Sequence, residues 1–140
     1  MLTSVDQNLW RGSRPEPNEF AEIRARFSAV LSLEGTAEDE KEAIELRPSE
    51  LISCPISFLQ IYFTGITQEA LAHILEVIRL APKPLLVHCE HGQDRTGLVV
   101  AAYRVTVCGW TKQWAMNEAL EYGYRNWLNF GLNKTWNSFV

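Results

Sequence analysis

Val87-His88-Cys89-Glu90-His91-Gly92-Gln93-Asp94-Arg95-Thr96-Gly97 joins two apolar runs of different character. Before it, Leu85, Leu86 and Val87 follow Pro82 and Pro84 and read as a short buried strand. After it, residues 98–108 are apolar almost all round and read as a helix at the centre of the molecule. A strand, a tight glycine-bearing loop and a helix N-terminus together make an anion cradle. The loop's N–H groups converge on one point, and the helix dipole favours negative charge there. Cys89 opens this loop and Arg95 closes it, with five residues between them. The field that binds an anion also stabilises a thiolate. A guanidinium adds a planar, two-pronged grip on two phosphate oxygens. A nucleophile aimed at a bound phosphate is what phosphoryl transfer to cysteine requires.

On either side the chain alternates strand-like and helix-like patterns. Residues 8–11 read as a short strand, and Phe20, Ile23 and Phe27 line one face of a helix. Residues 29–33 read as a buried strand, 35–48 as an acidic loop with one helical segment, and 51–58 as a strand cut by Pro55. Thr67 is placed to cap a helix with the stripe Leu71, Ile74, Leu75 and Ile78, leaving His73 on the solvent side. Thr111 starts a further helix that Gly123 ends, and the aromatic tail (Trp127, Phe130, Trp136, Phe139) reads as a last, packed helix. The alternation predicts an α/β fold in three layers, a central, mostly parallel sheet of four to five strands flanked by helices. A chain of 140 residues suits one domain, residues 1–140.

Hydrophobic residues make up 46% and charged residues 21%, the balance of a soluble globular protein. The net charge of −4 gives no basic field to draw nucleic acid or an anionic membrane. No stretch has transmembrane length. Three cysteines do not make a disulfide framework, and a reactive thiolate needs a reducing compartment, so a cytoplasmic location is expected. The cysteines and histidines lack paired zinc-ligand spacing, so neither metal nor cofactor is expected.

His88-Cys89, five residues, then Arg95-Thr96-Gly97 resembles the signature of cysteine-dependent protein tyrosine phosphatases, most closely the small atypical dual-specificity branch. The likeness extends through Leu9-Trp10-Arg11-Gly12-Ser13-Arg14-Pro15, Ala29 to Glu34, and the two helices after the loop, about residues 9–123 in all. It implies a dual-specificity phosphatase-like fold and a monomeric phosphomonoester hydrolase. Its residue roles carry over position by position: Cys89 as nucleophile, Arg95 as phosphate clamp, and Glu90, His91, Gly92, Gln93 and Asp94 around the substrate. Thr96 takes the place of the hydroxyl that bonds the sulfur, His88 orients the loop and tunes the thiol, and Gly97 permits close approach. Taken alone, each has a plainer reading. Cys89 would be a core cysteine, His88 a satisfied core histidine, Thr96 a first-turn helix residue and His91 solvated surface.

The departure from the family is the proton donor for the leaving group. The family's aspartate belongs on a loop after the third strand, but residues 55–67 contain no Asp or Glu. Three sources remain, and Asp94 is the expected catalytic acid among them: Asp94 beside the arginine, as in bacterial tyrosine and lipid phosphatases and in myotubularins; Asp39 or a neighbouring glutamate; or no efficient acid at all. Asp94 also reads as a carboxylate answering the helix dipole.

Phosphorylated protein or a small phosphomonoester is the expected substrate, with aryl esters favoured. Arg11 and Arg14 are expected at the rim, and Arg104 too far along its helix to join them. Phosphoinositides come second, because Glu90, Gln93 and Asp94 stand where lipid-directed relatives carry lysines. A phosphate-binding pseudophosphatase is a further alternative. A sulfurtransferase would need a differently built loop, and an arsenate reductase a resolving thiol. Cys54 could pair with Cys89 if their strands adjoin. Cys108 lies roughly 20 Å along the helix, at about 1.5 Å per residue, too far to do so.

Overall fold

The structure, a computed structural model, describes residues 2–35 and 37–139. Five strands form one sheet: β1 (Leu2–Ser4), β2 (Leu9–Gly12), β3 (Ala29–Ser32), β4 (Glu50–Ser53) and β5 (Leu85–His88). Their order is β1-β2-β5-β3-β4. β2, β5, β3 and β4 run parallel, and β1 pairs antiparallel with β2 at the edge. β5 lies between β2 and β3 with all four residues buried, which is why its sequence is continuously apolar up to His88.

The two faces of the sheet follow the strand alternation. Val30 and Leu86 point into a small cluster with Ile23 from α1 (Phe20–Arg26), with Phe27 just past it, and with Leu46, just past α2 (Ala37–Glu45). Leu9, Leu31, Leu85 and Val87 point the other way, into the main core beneath α3 (Gln68–Leu80), α4 (Arg95–Thr106), α5 (Lys112–Glu121) and α6 (Phe130–Ser138). From Arg95 to Tyr103 every residue of α4 is buried, so it runs through the middle of that layer. Thr67 caps α3 by accepting from the Ala70 amide, and Thr111 caps α5 by accepting from Trp114. Gly123 ends α5 with φ +97. Among the described residues no helix is long and apolar enough to cross a membrane.

Three elements differ from the sequence expectation. β1 was not expected. The strand placed at 51–58 stops at Ser53, and a π-helical turn at Gln60–Thr64 follows. Gly131 of α6 presses against that turn so closely that a Cβ there would stand 2.0 Å from the Gln60 carbonyl oxygen. The tail does form a helix, and Trp136 is buried against Phe139. Trp127 and Phe130, however, are 70% and 61% exposed.

Candidate active site

The loop between β5 and α4 sits at the carboxyl ends of the parallel strands, where open α/β sheets leave a crevice. Its carbonyls are held from outside. The Cys89 carbonyl accepts from His88 Nδ1 at 3.1 Å, that of Glu90 from the Arg14 amide at 3.0 Å, and that of Gly92 from Arg11 Nη2 at 2.9 Å. A trans peptide places the following N–H opposite its carbonyl. The amides of Glu90, His91 and Gln93 therefore point away from these pins, into the loop. Among the described residues, no amide from 90 to 95 donates to a protein acceptor. Gly92 makes the tight path possible: its φ is +73, and a Cβ there would stand 2.6 Å from the Gly12 carbonyl oxygen. The result is a ring of free donors ahead of a helix N-terminus, an anion site by construction.

Behind the ring His88 is fully buried. Its Nε2 lies 2.7 Å from Glu42 Oε2 and its Nδ1 3.5 Å from Glu34 Oε2. Both ring nitrogens face acceptors, a carboxylate and a carbonyl, an arrangement that favours the doubly protonated ring. Burial pushes the His88 pKa down, but the bond and charge of Glu42, with Glu34 beyond, outweigh it and raise the pKa above the ordinary value. Arg14 answers Glu34 at 2.5 Å. Glu34, Glu42 and His88 have ligand atoms within 4.8 Å of one another, the spacing of a cation site, but here they bind each other and Arg14. Sequence reading missed Glu42, which stands on a polar helix with no chemical motif around it.

Cys89 and Arg95 both line a cavity of about 270 Å³. Arg95 is 7% exposed and anchored by one bond, Nη1 to the Ile56 carbonyl at 3.0 Å. Among the described residues its other N–H groups have no acceptor, which leaves them for an anion. Phe58 lies over the guanidinium with its centroid 5.6 Å away and stacks on Tyr62 at 6.2 Å. The turn that holds no carboxylate thus supplies an aromatic wall instead. Glu90 and His91 line the mouth, and His91 is largely exposed. Gln93 turns aside and packs against Gly123. Gly97 lets the Tyr124 ring approach, since a Cβ would meet it at 3.2 Å. Among the described residues the buried Thr96 hydroxyl has no hydrogen-bond partner, so the bond to the Cys89 sulfur is not formed.

Asp94, the proton donor expected from the sequence, is engaged at both oxygens. Its Oδ1 accepts from the Arg125 amide at 3.1 Å and from Asn129 Nδ2 at 2.6 Å, and its Oδ2 from Arg125 Nε at 3.1 Å and from Nη2. Burial pushes its pKa up, but these bonds prevail and hold it below the ordinary value, as an anion. A carboxylate so held is a strut and a poor acid. Asp39 is also engaged: it is 6% exposed and accepts from the hydroxyls of Ser32 and Ser53, the last residues of β3 and β4. Arg11 is 4% exposed and lies under the loop instead of at the rim, and Arg104 pairs with Glu118.

The sequence profile of the tyrosine phosphatase family matches residues 2–129. The chain belongs to the tyrosine phosphatase family. It is 28% identical over 126 residues to the dual specificity protein phosphatase TpbA of Pseudomonas aeruginosa, covering 88% of this chain and 55% of TpbA. It is 27% identical over 104 residues to the inositol diphosphatase DSP4 of Arabidopsis thaliana, covering 71% of this chain and 52% of that protein. The chain therefore spans about half the length of these curated relatives. A crystal structure of a cysteine-to-serine variant of TpbA in complex with phosphotyrosine superposes with a TM-score of 0.74 at 26% identity, over 88% of this chain and 75% of that one. The catalytic core of SIW14 from S. cerevisiae shares the fold, with a TM-score of 0.82 at 20% identity over 99% and 85% of the two chains.

Proposed function

We propose that this chain hydrolyses phosphomonoesters through a cysteinyl-phosphate intermediate, with protein tyrosine and dual-specificity phosphatase activity. The observation that carries this is the ring of unpaired loop amides between Cys89 and a singly anchored Arg95. The amides and Arg95 bind the phosphate dianion. The Cys89 thiolate attacks phosphorus in line, an S–P bond forms, and the P–O bond to the leaving group breaks. Water then attacks phosphorus, releasing phosphate and the thiolate. Preorganised donors aimed at the transferring phosphoryl group supply most of the stabilisation. The thiolate needs a reducing compartment such as the cytoplasm.

Among the described residues, the aspartates weighed as proton donors are engaged elsewhere, as is Glu42, and only Glu90 at the mouth is left near the leaving oxygen. Asp94 is held as an anion, Asp39 is buried and bonded to the Ser32 and Ser53 hydroxyls, and Glu42 serves His88. Substrates with acidic leaving groups are therefore favoured, aryl phosphates such as phosphotyrosine first, and the Phe58–Tyr62 wall offers such a ring a surface. TpbA, with its phosphotyrosine complex, supports the same class. The name of DSP4 suggests a second class, inositol diphosphates, whose leaving phosphate also needs little protonation. Carboxylates weigh against that polyanion: Glu90 and Asp94 line the cavity, and Glu16, Glu38 and Glu45 line the groove of about 580 Å³ beside it.

The test is hydrolysis of para-nitrophenyl phosphate by the wild type and by Cys89→Ser, without added metal and with reductant. Turnover in the wild type that vanishes in the variant is expected. No turnover in either, with vanadate still binding, would make the chain a phosphate-binding pseudophosphatase.

A further inference from the structure

Arg11 stands on β2, far in sequence from the loop it touches, and three observations set it apart. It is 4% exposed, although a guanidinium is almost never buried unless paired. Among the described residues no carboxylate lies within ion-pair distance of it. Its contacts are the Gly92 carbonyl, 2.9 Å from Nη2, and the Tyr122 ring, whose centroid is 4.5 Å from Cζ. Among the described residues, nothing partners the buried Nη1. Glu118 acts on this charge only from beyond ion-pair distance, and a charge desolvated at this cost without a paired acid suggests that its field serves something else.

We propose that Arg11 is a positioning residue for oxyanion binding, an inference that rests on the phosphatase reading of the same loop. Its bond to the Gly92 carbonyl fixes the peptide joining Gly92 to Gln93. The Gln93 N–H must then point opposite, into the ring of donors. Gly92 at φ +73 could otherwise rotate, because glycine carries no Cβ to hold the peptide. A flipped peptide would present a carbonyl to the anion. The guanidinium also places a permanent positive charge behind the ring, and Tyr122 holds that plane against β2.

The test compares wild type, Arg11→Gln and Arg11→Lys, using vanadate binding, the pH profile of Cys89 alkylation by iodoacetamide, and the Gln93 amide resonance on adding phosphate. In Arg11→Gln, folded by circular dichroism, vanadate affinity falls about tenfold or more. The alkylation profile moves to higher pH, and the Gln93 amide no longer responds to phosphate. Arg11→Lys keeps the charge but cannot keep both the bond and the stacked plane, so the alkylation profile holds while vanadate still weakens. This variant carries the test if Arg11→Gln does not fold. A folded variant of either kind that binds vanadate within twofold of wild type overturns the proposal. Failure of the wild type itself to bind vanadate would overturn the phosphatase reading beneath it.

Discussion

Replacing Asp94 by asparagine separates a strut from a proton donor, and the structure sets the size of the effect. The carboxylate accepts four hydrogen bonds, two at each oxygen, from Arg125 and Asn129. Asparagine has one carbonyl oxygen. If that oxygen keeps the Arg125 amide and Asn129, its NH₂ group faces two guanidinium N–H donors and both bonds are lost. Hydrogen bonds to charged groups contribute about 1.5–3 kcal/mol each. The Arg125 side chain is 35% exposed, so water recovers part of the loss, and a net cost of about 2 kcal/mol is reasonable. For 140 residues that corresponds to a Tm lower by about 7 °C. Because the folded pKa of Asp94 is depressed, its stabilisation is present above the unfolded value of about 3.9 and disappears as pH falls through the folded value. The variant should therefore show a shallower acid limb in its stability profile. The deciding assay is kcat/KM on aryl and alkyl phosphates. A strut predicts loss by one common factor on both. A loss about tenfold greater on alkyl phosphates, roughly 1.4 kcal/mol of leaving-group assistance, would show that Asp94 donates the proton and refute the argument.

Two further outcomes test the surroundings of the loop. Glu42→Gln leaves His88 without its nearest counter-charge and should cost about 3 kcal/mol, read by urea denaturation. The raised pKa of His88 contributes stability that is full below the unfolded value of about 6.5 and lost as pH rises through the folded value. Wild type should thus weaken across that window, and the variant should show less change; equal slopes would mean that His88 is neutral in the fold. Gly131→Ala forces α6 away from the π-helical turn, because the new Cβ would meet the Gln60 carbonyl oxygen at 2.0 Å. A cost of about 3 kcal/mol, or about 10 °C in Tm, is expected, with a raised KM for aryl phosphates as Phe58 and Tyr62 move. An unchanged Tm would show that the contact yields freely.

What the sequence made legible was local, and what it hid was not. β5, the loop and α4 were readable because eleven consecutive residues carry the strand, the turn and the helix start together. The caps at Thr67 and Thr111 were readable for the same reason, since each acts three residues away. α2 was read mainly as loop because it has no apolar stripe: its two buried residues, Asp39 and Glu42, face polar partners on β3, β4 and β5. The π-helical turn, rich in Ile61, Tyr62 and Phe63, has a strand-like composition, and only its contact with Gly131 holds it in another shape. Asp94 looked like an acid because Arg125 and Asn129, which hold its proton off, lie 31 and 35 residues downstream.

The same division runs through the candidate site. Cys89 and Arg95 belong to one short segment, as the proposed nucleophile and phosphate clamp must if both are to reach one phosphate. The groups that give the segment its shape obey no such limit. They need only reach its outer side, and the parallel sheet brings to that side the end of β2, the loop after β3 and one turn of α2. Each of the three pinned carbonyls has a different donor, and each pin orients a different amide. Swapping the signature onto a sheet without Arg11, Arg14 and Glu42 should therefore preserve the nucleophile and lose the anion. Binding of vanadate, more than the reactivity of the thiol, is the property that depends on the rest of the fold.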